Sequence, residues 1–367
     1  MTWLERAEAE LASIEADGRR RSLRVFDACG PTGMLGGRPV TSYASNDYLG
    51  LSAHPDVIDA AAAAAGQWGT GATASRLVVG TRPAHAELEA DYAAAKGTEA
   101  ALVLSSGYAA NLAVLTTFGS ADVTIVSDER NHASIIDGCR LAKAASVIYR
   151  HNDVDHLRSR VDAAPGPAIV VTDSVFSMDG DVAPLTEIAA VCRERGALLV
   201  VDEAHAALGP EVPIDLDVLR VGTLSKTLGS LGGIVAGPSS MIDLLVNRAR
   251  SFIFSTGLTP SDTAAAHAAL AIVEGEEGDR LRARLRAHID RLVPGHPSPI
   301  VPIVLGEESV AMDASAALLD RGILVPAIRP PTVAPGTSRL RVALSAAHTD
   351  VMVDDLVRAL DELEIRP

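Results

Sequence analysis

The stretch Ala197-Leu198-Leu199-Val200-Val201-Asp202-Glu203-Ala204-His205, followed at Gly222-Thr223-Leu224-Ser225-Lys226 by a second polar turn, decides the reading of this chain. Five apolar residues running into an aspartate read as a buried strand that ends on a charge, and ligands of open α/β sheets sit at that end. Lysine is rare here: Lys96, Lys143 and Lys226 are the only three among 32 basic residues. A chain that takes its positive charge from arginine gains little from one more surface lysine, and arginine cannot give up its proton to act as a nucleophile. Lys226 therefore reads as a chemical residue. A lysine able to form a Schiff base, with a strand-end carboxylate upstream, fits a pyridoxal phosphate site. The amine takes the aldehyde, and the carboxylate keeps the pyridine nitrogen protonated.

Length and composition bound the rest. A chain of 367 residues, 48% of them hydrophobic, can bury a large core and is expected to divide into a large and a smaller domain. Its net charge of −15 argues against non-specific nucleic-acid binding and makes any anion site depend on local arginines. Cys29, Cys139 and Cys192 stand apart, with no spacing for zinc or a redox pair, so reduced thiols and no metal are expected. The N-terminus, Met1-Thr2-Trp3-Leu4-Glu5-Arg6, is charged from the start, and no apolar stretch approaches a membrane span. A cytoplasmic protein with neither membrane nor nucleic-acid partner is expected.

From about residue 40 to 250, short β-type runs alternate with helical patterns, as in a mostly parallel sheet with crossover helices. Strands are predicted at 100–104, 123–126, 146–149, 168–172, 197–201, 220–223 and 233–236, with helices among them at 109–117, 185–195 and 241–248. Beyond Pro260, two long helices at 261–277 and 279–292 open a second region. The expected division is an N-terminal helix and arm, 1–39, a large cofactor-binding domain, 40–255, and a smaller α+β domain, 256–367. The arm begins as an amphipathic helix and ends in Arg19-Arg20-Arg21-Ser22-Leu23-Arg24.

Ser105-Ser106-Gly107-Tyr108-Ala109-Ala110-Asn111 follows a predicted strand and opens a helix, where free N–H groups and the helix dipole suit a phosphate. Thr223 and Ser225 add hydroxyls beside Lys226. Asp202-Glu203-Ala204-His205 also spells the acidic box of a nucleotide hydrolase, but no G-x-x-x-x-G-K-[ST] loop accompanies it. The absence of G-x-G-x-x-G after an early strand argues against a dinucleotide-binding dehydrogenase.

Five segments occur in one order: Ser45-Asn46-Asp47-Tyr48-Leu49-Gly50-Leu51, Asn131-His132-Ala133-Ser134-Ile135-Ile136-Asp137-Gly138, Val175-Phe176-Ser177-Met178-Asp179-Gly180-Asp181, Asp202-Glu203-Ala204-His205 and Thr223-Leu224-Ser225-Lys226. Together they resemble the α-oxoamine synthases, a family of fold-type I pyridoxal phosphate transferases. The resemblance implies a large, mostly parallel seven-stranded sheet domain with a smaller C-terminal domain, and a homodimer with shared sites. It makes Lys226 the holder of the cofactor aldehyde, Asp202 the partner of the pyridine nitrogen and His132 the group stacked on the ring. His205 and Ser177 would lie near the phenolic oxygen, while Gly107, Tyr108, Thr223 and Ser225 would hold the cofactor or its phosphate. Thr256 matches a position that reaches the neighbouring subunit's phosphate. On the substrate side the resemblance assigns Asn46 to the reacting centre, Arg329 to the amino-acid carboxylate and Thr332 to the site lining. An arginine of the N-terminal run, Arg21 ahead of Arg20, would meet the acyl substrate's carboxylate.

The segments Ile328-Arg329-Pro330-Pro331-Thr332-Val333 and Gly336-Thr337-Ser338-Arg339-Leu340-Arg341 resemble the branch that condenses L-alanine with a pimeloyl thioester, on coenzyme A or an acyl carrier protein. That decarboxylating condensation is the activity expected. A sister synthase using glycine or serine would keep the same catalytic residues. A pyridoxal phosphate lyase would share Lys226 and Asp202 without needing the arginines, and a non-catalytic subunit would be expected to lack the lysine. Two departures from the family pattern stand out: the connection from His205 to Lys226 is several residues short, which bears on gating of the entrance, and Asp173 stands where relatives commonly have glutamate.

Overall fold

The computed structural model describes residues 1–210, 212 and 216–366. Four residues of the shortened connection, 211 and 213–215, lie outside the described residues. Helix α1 (Trp3–Ala16) starts on a capping box, in which the Thr2 hydroxyl accepts from Glu5 N and the Glu5 carboxylate accepts from Thr2 N. None of its residues is buried within the single chain. A short antiparallel meander follows, β1 (Phe26–Ala28), β2 (Thr32–Leu35) and β3 (Arg38–Ser42), with helices α2 (Pro55–Trp68) and α3 (Pro83–Ala95) after it.

The central sheet has seven strands: β4 (Ala100–Leu104), β5 (Thr124–Asp128), β6 (Ala145–Tyr149), β7 (Ala168–Asp173), β8 (Leu198–Asp202), β9 (Val218–Thr223) and β10 (Gly233–Gly237). Their spatial order is β4-β10-β9-β8-β7-β5-β6. Strands β5 to β9 pair in parallel, and β10 runs antiparallel to both β4 and β9. Every predicted strand of this region is present within one or two residues. Buried on both faces by helices, such strands are apolar throughout rather than alternating. The helices are α4 (Gly107–Phe118), α5 (Ala133–Leu141), α6 (Val154–Asp162), α7 (Leu185–Arg195), α8 (Ser239–Arg248) and the short α9 (Arg250–Ile253).

Parallel pairing brings the carboxyl ends of β5, β7, β8 and β9 to one edge, with Asp173 directly opposite Asp202. The turn after β8 faces two ways. Asp202 points into the site, whereas Glu203 is held on the far side by Arg220, which donates from Nε to Oε2 at 2.8 Å and from Nη2 to Oε1 at 2.7 Å. Lys96 Nζ, partly exposed, completes the trio, 3.4 Å from Glu203 Oε1. This bidentate pair fixes the turn to β9.

Helices α10 (Pro260–Val273) and α11 (Glu276–Leu292) break at Gly275, where an acidic first turn of Glu276, Glu277 and Asp279 suits the start of a new helix. After them come β11 (Ile300–Gly306), α12 (Glu308–Asp320), β12 (Ile323–Leu324), β13 (Ala327–Ile328), β14 (Ser338–Ala343) and α13 (Asp350–Glu362). Strand β12 joins the N-terminal meander in parallel with β3, and β11, β14 and β13 form a three-stranded sheet. One apolar cluster runs from Tyr43 and Leu88 through Ala266 to Val342 and Leu356, tying the C-terminal elements to the helices before β4.

Candidate active site

A cavity of about 220 Å³ opens at the carboxyl edge of the sheet. Its lining includes Gly107, Tyr108, Asn111, His132, Asp173, Asp202, His205, Thr223, Ser225 and Lys226. Asp202 ends β8 and is locked from two sides. Its Oδ1 accepts from Ala204 N at 2.9 Å, and its Oδ2 accepts from Asn111 Nδ2 at 2.7 Å. The second Asn111 hydrogen goes to Ser134 Oγ at 2.9 Å. These two donors fix the plane of the carboxylate and leave a lone pair on each oxygen for a ligand.

His132 is the N-cap of α5, and its N–H donates to Asp173 Oδ2 at 2.8 Å. Its ring borders the open side of the cavity, with Nδ1 2.8 Å from Ser134 Oγ. Burial of its inner face pulls its pKa down, against the opposing pull of Asp202. Burial raises Asp173 well above the usual carboxylate range, and the neighbouring charge of Asp202 adds to the rise. The residue whose role the sequence left open is therefore a buried carboxyl that braces the His132 backbone.

Lys226 follows β9 and points back at His205, with Nζ 2.9 Å from Nε2. On the other side of that ring, Nδ1 lies 2.6 Å from Tyr48 Oη, which donates to Asn46 Oδ1 at 3.1 Å. As an ammonium, Lys226 can only donate, so Nε2 accepts and Nδ1 carries the proton of a neutral ring. That assignment lets Tyr48 accept from His205 and give its own proton to Asn46. Burial, with the charges of Lys226 and Arg341, drives the His205 pKa far below its ordinary value. Burial also lowers Lys226, opposed by Asp202 and Asp173. Burial pushes Tyr48 up to about 12.

At the amino end of α4, the N–H groups of Gly107 and Tyr108 have no intrahelical acceptor, while the Ser106 hydroxyl caps Ala109 N at 3.1 Å. A Cβ on Gly107 would stand 3.2 Å from Thr223 Cβ, so glycine keeps this approach open. Thr223 Oγ1 and Ser225 Oγ are 2.7 Å apart on the facing turn. Tyr108 is half exposed and donates to Asp137.

Other expected residues lie outside this cavity. The Ser177 carbonyl accepts from Arg341 Nε at 2.5 Å, and Arg341 Nη2 reaches Asn46 Oδ1 at 3.2 Å. Arg20, Arg21, Arg329 and Thr332 line a separate basin of about 570 Å³, together with Arg24. Thr256 is exposed and bridges to Ser75. Within the arginine run, Arg19 pairs with Glu308 and Arg20 with Glu15, while Arg21 and Arg24 have no ion pair among the described residues. Arg329 donates to the Gly18 carbonyl at 2.5 Å, and it is Arg341 whose charge reaches Lys226 and His205. Sequence reasoning gave no part to Asn111, Tyr48 or Arg341, and named Arg24 only within the arginine run. All four stood inside quoted motifs, but their chemistry appears only when distant segments meet.

The class I and II aminotransferase family matches residues 38–360. An 8-amino-7-oxononanoate synthase of Anaeromyxobacter dehalogenans is 50% identical over 373 residues, covering 96% of this chain and 94% of that protein. One from Methylobacterium nodulans is 46% identical over 364 residues, covering 97% and 96%. Among solved structures, Sphingomonas wittichii serine palmitoyltransferase superposes with a TM-score of 0.92 at 31% identity, over 100% of both chains. The 8-amino-7-oxononanoate synthase of Francisella tularensis gives 0.75 at 26% identity, over 89% of this chain and 98% of that one. Sequence match along nearly the whole length, on this fold, means that the chain belongs to the class I and II aminotransferase family, in the group of the 8-amino-7-oxononanoate synthases.

Proposed function

We propose that this chain is a pyridoxal phosphate-dependent acyltransferase of biotin biosynthesis, condensing L-alanine with a pimeloyl thioester to give 8-amino-7-oxononanoate and carbon dioxide. The observation that carries the proposal is the convergence of Lys226, Asp202 and His132 on one cavity, in a chain 50% identical to a synthase of that name. The residues present fit the cofactor. Lys226 can take its aldehyde, Asp202 offers a locked carboxylate for the ring nitrogen, and His132 borders the open face. The free N–H groups of Gly107 and Tyr108, with Thr223 and Ser225, suit its phosphate. Asn111 Oδ1, buried without a hydrogen-bond partner among the described residues, marks a polar wall of the cavity.

When bound, the cofactor supplies the aldehyde for substrate capture and a ring that spreads negative charge from the substrate Cα. Lys226, lowered by burial, takes the Cα proton of alanine as a general base. Asp202 keeps a proton on the pyridine nitrogen. Neutral His205 accepts from Lys226 Nζ at Nε2 and donates from Nδ1 to Tyr48 Oη, which orients the lysine for transfer of the Cα proton, and Ser177, through its carbonyl, orients Arg341. Arg341 meets the alanine carboxylate beside Asn46, since it is the guanidinium whose charge reaches Lys226. Arg329 and Thr332 join Arg21 and Arg24 in the basin for the acyl substrate's free carboxylate, where unpaired arginines offset the overall negative charge. A carbon–carbon bond forms between Cα and the thioester carbonyl, the thiol leaves, and the resulting β-keto acid loses carbon dioxide.

The working unit is a cytoplasmic homodimer in this proposal. Leu77, Val78 and Val79 are 53%, 73% and 63% exposed, and Phe254 is 70% exposed two residues before Thr256, an apolar surface that suits a second copy. No described helix is long and apolar enough to cross a membrane. The TM-score of 0.92 favours, as a second reading, a synthase taking serine and a palmitoyl thioester. Thiol release from a panel of amino acids and acyl thioesters decides between them. Turnover should be fastest with L-alanine and pimeloyl-CoA, and a preference for serine with palmitoyl-CoA overturns the proposal.

A further inference from the structure

We propose that His151 is a positioning residue for amino-acid binding: by bridging Asp128 and Asp181, it holds the turn whose Ser177 carbonyl fixes the Arg341 guanidinium. This rests on the reading that Arg341 meets the substrate carboxylate.

His151 lies just past β6, with its side chain 11% exposed. Its Nδ1 is 2.9 Å from Asp128 Oδ1 at the end of β5, and its Nε2 is 2.5 Å from Asp181 Oδ2. An ionised carboxylate only accepts, so both ring nitrogens must donate and the ring must be an imidazolium. A neutral ring would turn a lone pair toward one carboxylate. Burial alone would lower its pKa, but its hydrogen bonds to the two aspartates and their negative charges outweigh that and hold it at about 9.

Asp181 belongs to a closed turn. Val175 bridges Val182, Phe176 N donates to Asp181 O at 3.0 Å, and Gly180 N donates to Phe176 O at 2.8 Å. Gly180 has φ 68°, and a Cβ there would come 2.0 Å from Ile300 O, so the turn has one way to sit. The Phe176 ring packs edge-on against the imidazole, with centroids 4.4 Å apart. Asn152 supports the same joint, its N–H donating to Asp128 Oδ2 at 3.0 Å and its side chain to Val182 O at 3.3 Å. At the tip, Asp179 takes Arg339, and the Ser177 carbonyl takes Arg341 Nε at 2.5 Å. The His151 bridge thus ties the base of the turn to the sheet, and the tip sets the direction of the guanidinium.

The test uses the holoenzyme and follows L-alanine binding through the cofactor's absorbance, with no acyl substrate present. In His151→Gln the cofactor should be retained while the dissociation constant for L-alanine rises about tenfold, the scale of one charge-assisted hydrogen bond. Asp181→Asn, which keeps the imidazole, should give a smaller rise and serves if His151→Gln folds poorly. In Arg341→Lys alanine binding should weaken too, and adding His151→Gln to it should cost little more, because both act on one contact. A lowered melting temperature with unchanged alanine binding in both clamp variants, or fully additive effects with Arg341→Lys, overturns the proposal. Unchanged binding in Arg341→Lys overturns the assignment of Arg341 itself, and the role of His151 with it. Weakening by Arg341→Lys alone removes only His151.

Discussion

Replacing Asp202 by asparagine changes more than a charge. The carboxylate accepts from Ala204 N through one oxygen and from Asn111 Nδ2 through the other. An amide has one acceptor, and if Ala204 N keeps it, the new NH2 group faces the NH2 of Asn111. Asn111 is 1% exposed and position 202 is 5% exposed, so water cannot relieve the two opposed donors. A buried donor left without an acceptor costs about 1–3 kcal/mol. Loss of the full negative charge beside the pyridine nitrogen removes a further ~3–4 kcal/mol, by analogy with other electrostatic stabilisers. The first cost falls on the stability of the fold, and only the second on the barrier, a fall in kcat/KM of roughly 10²- to 10³-fold. The assay is steady-state thiol release with saturating L-alanine, alongside cofactor content from absorbance. Asp202→Asn should keep the cofactor and lose turnover. Adding Asn111→Asp returns a matched hydrogen bond and a negative charge displaced from the ring nitrogen, so stability should recover and turnover should not. Turnover of Asp202→Asn within tenfold of the wild type, or full rescue by the second change, would refute the reasoning.

Borohydride reduction of the holoenzyme should fix the cofactor on the peptide containing Lys226; label on Lys96 or Lys143 contradicts its role. Arg21→Ala and Arg24→Ala should raise KM for pimeloyl-CoA but not for a monocarboxylic acyl-CoA of similar length, with Arg20→Ala weaker because Arg20 already pairs with Glu15. Equal effects on both thioesters would place the carboxylate clamp elsewhere. The His151 bridge also sets a pH dependence. Its pKa of about 9 in the folded protein exceeds the ~6.5 of an unfolded histidine, so its contribution is complete below ~6.5 and lost as pH rises to about 9. The gap in melting temperature between wild type and His151→Gln should narrow across that window, and a constant gap contradicts a charged bridge.

Strands β5, β7, β8 and β9 were legible because strands buried on both faces are largely apolar along their length, and Asp202 and Lys226 were legible because each interrupts its surroundings chemically. The β1–β3 meander was not, since it is short, contains Pro31, Pro39 and four glycines between Phe26 and Ser42, and exposes much of both faces. Asn111 and Asp202 are 91 residues apart, and their helix and strand meet only through the crossover topology. Arg341 reaches the site from β14, across 295 residues from Asn46, so no local pattern announces it. The separation of Arg329 from the Lys226 cavity is likewise a product of packing: β13 delivers it to the arm, whereas β14 delivers Arg341 to the site.

The central claim meets its most direct test in the fate of the alanine carboxyl carbon. With L-alanine labelled with ¹³C at C1 and pimeloyl-CoA, the purified holoenzyme should release labelled carbon dioxide in equal amount to unlabelled 8-amino-7-oxononanoate and free thiol. Retention of the label in the amino-ketone product, or thiol release without that product, would contradict the decarboxylating condensation.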